Sequence, residues 1–185
     1  MDPGGEGFGT HPHENMEIIT YIIKGELEHK DSMGNGSVIR QGELQRMTAG
    51  TGVTHSEFNP TNQETHLLQI WITPERAGLE PGYEQRDFSA LRKQNKLTLL
   101  VSQCGKDDSL TVHQDMKLYG GSLEVGKQIE FALSFDRHAW IQVIRGGVVL
   151  NGIDLNAGDG AAIEEESLLS IAATKAAEFL LFDLA

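Results

Sequence analysis

The chain has a single cysteine, Cys104, so an intrachain disulfide framework is excluded, and any metal it binds must be held by histidine, aspartate or glutamate. Basic residues are also scarce. Fifteen Lys and Arg stand against 27 Asp and Glu, giving a net charge of −12. No stretch forms a basic stripe, which excludes a direct nucleic-acid partner of the usual electrostatic kind. No apolar run approaches the length of a membrane span, and the opening "MDPGGEGFGT" has neither the basic nor the apolar region of a secretory leader. A soluble, cytoplasmic protein with no membrane contact is expected. Helical periodicity is missing as well, apart from a short turn at the start of "LRKQNKLTLLVS".

Glycine, by contrast, is plentiful, and it falls between short apolar runs. "EIITYIIKGELEH" is rich in β-branched residues and reads as a strand bent at Gly25, with "MGNGS" supplying a hairpin turn after it. "ELQRMTAG", "THSEFN" and "THLLQIWITP" read as three further strands, and the polar stretch from Pro74 to Asp87 as a surface connection. The second half repeats the style, so the fold class is all-β, a sandwich or barrel. "ITYIIKG" (19–25) aligns with "WIQVIRG" (140–146), and Gly42 with Gly158 after a shorter hairpin, which suggests two tandem copies of one β motif.

The chemistry concentrates in two short motifs. Alternate side chains of a strand share a face, so His11 and His13 of "THPHENME" project together, with Pro12 and Glu14 aimed away. A second such pair, His55 and Glu57 of "VTHSEFN", comes 42 residues after His13, enough chain to return alongside the first strand. Two adjacent strands offering two inward groups each make a four-donor cage for Fe(II), Mn(II), Ni(II), Cu(II) or Zn(II). Glu17 shares the parity of His13 on an unbroken strand; it competes with Glu57 as the carboxylate donor or serves to orient a histidine.

The pattern Gly9-x-His11-x-His13-x3-Glu17-x7-Gly25, followed by Gly42-x7-Gly50-x4-His55-x3-Asn59, closely follows the two cupin motifs. The wording "GFGTHPHENMEIITYIIKGELEHKDSMGN" and "MTAGTGVTHSE", with "QIWI", "EQRDF", "LTVHQDM" and "LLFDL", resembles the pirin family through both halves, particularly the bacterial pirin-like quercetin 2,3-dioxygenases. The resemblance implies a bicupin of two tandem jelly-roll β-barrels: residues 1–88 bind metal and residues 89–185 form a cupin domain without ligands. It implies His11, His13, His55 and Glu57 as the ligands of one divalent metal, Fe(II) first. Strands normally precede the HPH strand in this family. With ten residues before His11, an incomplete first barrel with an exposed edge is expected.

The activity implied is opening of a flavonol ring by O₂ with release of CO, Glu57 taking the proton of the substrate hydroxyl. The alternative is a non-enzymatic metal-containing regulator that senses redox state and binds a protein partner through its acidic surface. Phe8, Met16, Ile18 and Phe58 flank the ligand strands as pocket wall or core. In the repeat alignment Ala132 and Ser134 replace His11 and His13, while Ile171 and Ala173 replace His55 and Glu57. Cys104 reads as a structural or surface thiol, His29 and His66 as ordinary strand or hairpin residues, and His113 and His138 fall outside any ligand set.

Overall fold

The structure, a computed structural model, describes residues 5–185. Residues 1–4, the start of the stretch read above as lacking a leader, lie outside the described residues. Among the described residues regular structure is β-strand apart from one short 3₁₀ turn, Lys106–Asp108, and no helix is long and apolar enough to cross a membrane. The chain divides into two compact units. One comprises residues 5–89 with Leu110–Gln114, the other Ala90–Ser109 with Asp115–Ala185.

The first unit contains β1 (Gly7–His13), β2 (Glu17–Lys24), β3 (Glu26–Asp31), β4 (Gly36–Arg40), β5 (Glu43–Thr48), β6 (Val53–Phe58), β7 (His66–Ile72) and β8 (Gly82–Asp87). They form two antiparallel four-stranded sheets, ordered β1-β6-β3-β4 and β7-β2-β5-β8. Alternating apolar residues join the inner faces. Ile22 of one sheet packs with Leu27 and Ile39 of the other, and Ile18 and Met47 pack with Val53. Each such side chain withdrawn from water contributes roughly 1.5–3 kcal/mol. The sheets keep separate edges, so the unit is a jelly-roll-like sandwich; β1 is an outer, largely exposed strand.

Three local expectations are corrected. The single bent strand at Gly25 is two strands in different sheets. Gly25 takes φ +77°, and a Cβ there would sit 2.8 Å from the Glu64 carbonyl oxygen, so only glycine lets β2 hand over to β3. The polar connection 74–87 ends in β8, which pairs with β5. An edge strand half in solvent has no need of an apolar face, so its composition hides it. The predicted helical turn after Leu91 does not form a helix.

After β10 (Leu110–Thr111), the strands of the second unit are β11 (Met116–Leu123), β12 (Gln128–Ala132), β13 (His138–Leu150), β14 (Ile153–Asn156), β15 (Gly160–Ile163) and β16 (Leu168–Leu184), preceded in the chain by β9 (Lys96–Ser102). Long β13 and β16 run side by side at its centre. The internal repeat is visible in backbone angles: Gly146 has φ +75° against +77° for Gly25, and Gly158 +94° against +95° for Gly42. Strand register then aligns the two units residue by residue. In the first, His11 faces His55, His13 faces Val53, His29 faces Glu57 and Asp31 faces His55. In the second, Ile129 faces Ile171, Phe131 faces Leu169, Val148 faces Ala173 and Leu150 faces Ile171. With Gly25 set on Gly146, Glu26 opposite Arg40 matches Gly147 opposite Asn156. Leu150 therefore stands where His29 does, Leu169 and Ile171 where His55 and Glu57 do, and Phe131 and Leu133, not Ala132 and Ser134, where His11 and His13 do. These five residues join one apolar core.

Gly146 lies where β13 bends, and a Cβ there would lie 2.0 Å from the Ala176 carbonyl oxygen; Gly126 has the same φ, +75°, with open space around it. Gly126→Ala is expected to cost only left-handed strain, about 1–2 kcal/mol. Gly146→Ala adds a backbone clash and is expected to cost distinctly more, measured as the difference in urea unfolding free energy.

Candidate metal centre

Strand β6 lies between β1 and β3, and its inward residues, His55 and Glu57, meet histidines from both sides. From β1 come His11 and His13, whose rings stand 4.4 and 5.0 Å from that of His55, centroid to centroid. A bulge between Phe8 and His11 resets the register so that both histidines of the pair reach His55. One donor atom from each of His11, His13 and His55 lies within 4.8 Å of the others, and the same holds for His29, His55 and Glu57. His11 Nδ1–H donates to the Gly9 carbonyl at 2.7 Å, which leaves its Nε2 lone pair free. A metal-binding His/Glu site is therefore present.

Two buried atoms identify what this site is built to hold. His55 Nε2 and Glu57 Oε1 have no hydrogen-bond partner among the described residues, although both side chains are only 2% exposed. Orphaned buried acceptors are costly and rare, whereas a cation coordinated by them satisfies both. The other Glu57 oxygen accepts from Gln69 Nε2 at 2.8 Å, and Gln69 Oε1 accepts from Trp71 Nε1 at 3.1 Å. Burial pushes His55 down to about 4, opposed by Glu57 and reinforced by His11, His29 and His13. His13 is lowered by burial and by His11, against the pull of Glu57. Both rings are thus neutral near pH 7, the form a metal requires. Asp31, despite burial, is held below the ordinary carboxylate range by hydrogen bonds from Asn35, His29 and the Asn35 and Met33 amides.

Several sequence readings change here. Glu17 is not beside the histidine pair: Asn15, at φ 51°, turns the chain between β1 and β2, and β2 belongs to the other sheet. Fully buried, Glu17 accepts from Thr48 Oγ1 at 2.8 Å and from the backbone and ring nitrogens of His113 at 2.7 and 2.8 Å. It orients a histidine, but that histidine is His113, which anchors the returning segment Leu110–Gln114. His29, read as an ordinary strand residue, is fully buried against His55 and Glu57. Met16 and Ile18 belong to core packing, while Phe8 and Phe58 are exposed. Trp71 was missed: 55% exposed, its ring stands edge-on to His13 at 5.1 Å. Cys104 is an exposed thiol.

Residues 1–72 match the family model Pirin, and residues 99–184 match that of the quercetinase C-terminal cupin domain. Quercetin 2,3-dioxygenase of Escherichia coli K12 is 49% identical over 181 residues, covering 97% of this chain and 77% of that protein. The chain belongs to the pirin family. A pirin-like protein of Caulobacter vibrioides is 37% identical over 180 residues, covering 97% of this pirin and 78% of the relative. Among solved structures, the E. coli bacterial pirin YhhW in complex with nickel(II) superposes with a TM-score of 0.93 at 47% identity, covering 98% of this chain and 78% of that one. The two jelly-roll units are accordingly cupin folds.

The depressed His55 fixes a pH dependence. With the folded ring neutral down to about 4 and the unfolded ring titrating near 6.5, the unfolded chain binds more protons between these values. Stability of the metal-stripped pirin should fall as pH drops from about 6.5 towards 4, by at most about 1.4 kcal/mol per pH unit from this group. Urea midpoints across that range check it, and His55→Gln should flatten the slope.

Proposed function

We propose that this pirin is a metal-dependent dioxygenase of flavonols, with His11, His13, His55 and Glu57 holding one divalent metal in the first unit. The observation that carries the reading is that His11, His13 and His55 bring donor atoms together, that Glu57 lies in the adjoining group with His29 and His55, and that His55 Nε2 and Glu57 Oε1 are buried without a hydrogen-bond partner among the described residues. The name of the E. coli relative and the nickel(II) complex of YhhW support it. Three imidazoles and a carboxylate suit Fe(II), our first assignment, and also nickel, manganese, copper and zinc. When bound, the metal supplies Lewis-acid polarisation and a place for substrate and O₂ beside the protein ligands.

The chain's own contribution is positional and protonic. Gln69 fixes one Glu57 oxygen, so Oε1 alone faces the histidines and is the acceptor available for the proton of a flavonol 3-hydroxyl. The exposed Trp71 ring, beside His13, and the exposed Phe8 ring, beside His11, supply the apolar surface a planar polyphenol packs against. Removal of the hydroxyl proton makes the flavonol electron-rich enough to react with O₂, and ring opening with loss of CO follows. CO release from quercetin by the Fe(II)-loaded protein tests the assignment. Glu57→Gln is expected to lower turnover by about 100-fold or more while the three histidines retain metal. Undiminished CO release by that variant would remove Glu57 from proton transfer, and none from the wild type would remove the dioxygenase.

A further inference from the structure

His29 has no place in the ligand set proposed above, yet it is fully buried in contact with it. Its ring is held from every side. Nε2 lies 3.1 Å from Asp31 Oδ2, Gln45 Nε2 lies 3.2 Å from its Nδ1, and Tyr83 packs over the ring with centroids 5.1 Å apart. Nδ1 also faces His55 Nδ1 at 3.5 Å, within hydrogen-bond reach, and Glu57 Oε1 at 3.8 Å, beyond it. Asp31 is itself fixed by three hydrogen bonds in the β3–β4 turn, from the Met33 and Asn35 amides and the Asn35 side chain.

We propose that Asp31 and His29 form a relay that sets the tautomer of His55, and so makes His55 a metal ligand. A carboxylate can only accept, so the hydrogen of His29 sits on Nε2 and points at Asp31. His29 Nδ1 is then a bare acceptor, which is also what the Gln45 amide requires. The one hydrogen of neutral His55 is drawn to Nδ1, where His29 receives it, and His55 Nε2 is left bare towards His11 and His13. That is the same buried nitrogen found without a partner. Choice of tautomer by a hydrogen bond to the second ring nitrogen is a general means of raising a histidine's value as a ligand. His29 is a positioning residue in this account, one step removed from the metal.

The second unit supplies an independent argument. At the positions matching His55, Glu57 and His29 it has Leu169, Ile171 and Leu150, all buried, and Asp31 falls in the shorter turn at Asn151–Gly152. A histidine needed only for the sheet would have a reason to persist there. Instead His29 gives way to hydrophobic core together with the ligands.

The inference rests on His55 being a ligand, and the test separates the two. Nitrogen NMR of ¹⁵N-histidine-labelled, metal-stripped protein should find His55 protonated at Nδ1 and His29 at Nε2. Nickel(II) affinity, measured by competition with a chromophoric chelator, should weaken about 10–100-fold in His29→Leu and stay within a few-fold of wild type in His29→Gln, whose amide oxygen can still accept. A wild-type His55 protonated at Nε2, or a His29 protonated at Nδ1 with the Gln45 amide reversed, overturns the relay even if nickel binds tightly. So does unchanged affinity in His29→Leu, or X-ray absorption showing that His29→Gln removes a nitrogen from the bound nickel. A wild type that takes up no nickel would instead overturn the metal assignment itself.

Discussion

The structure of the first unit depends on one strand that buries acceptors without giving them hydrogens. β6 carries His55 and Glu57 into the interior of a sandwich, and each keeps one atom unpartnered among the described residues. Leaving such groups unsatisfied costs about 1–3 kcal/mol apiece, which a well-packed domain does not tolerate without a reason. Everything around them serves the same arrangement. β1 brings two histidines whose register is adjusted by a bulge, Gln69 occupies the second carboxylate oxygen, and β3 brings His29 with its own carboxylate. Val53, two residues before His55 on β6, packs with Ile18 and Met47, so apolar core begins directly beside the polar cluster.

The second unit shows how readily the same backbone does without this chemistry. Its strands repeat the topology down to the left-handed glycines at the two turns, yet the positions of His11, His13, His29, His55 and Glu57 are aliphatic or aromatic. A cupin sandwich needs an apolar interior to be stable; the cluster in the first unit is an exception maintained against that tendency. Comparing the two units within one chain thus separates residues that make the fold from residues that make the site.

Much of this was legible beforehand, and for a definite reason. The i, i+2 rule places His11 with His13 and His55 with Glu57 without knowledge of the sheet, because parity along a strand is local. What lay beyond reach depended on which strands become neighbours. His29 sits on the far side of β6 from β1, and its importance appears only when β3 is seen to pair there with Glu57 opposite. Glu17 misled because parity was carried across Asn15, where the chain leaves one sheet for the other. Trp71 belongs to the opposite sheet, and nothing in "QIWI" marks the one aromatic that reaches His13. β8 was hidden by its polarity, which an edge strand permits.

The central claim is that the buried acceptors exist to hold a metal, and metal analysis of protein purified without added metal tests it most directly. The account predicts close to one equivalent of a divalent transition metal per chain in the wild type and a loss of most of it in His55→Ala, with the fold of both retained by circular dichroism. A wild type that is folded and free of metal, and that takes none up on dialysis against Fe(II) or nickel(II), would contradict it.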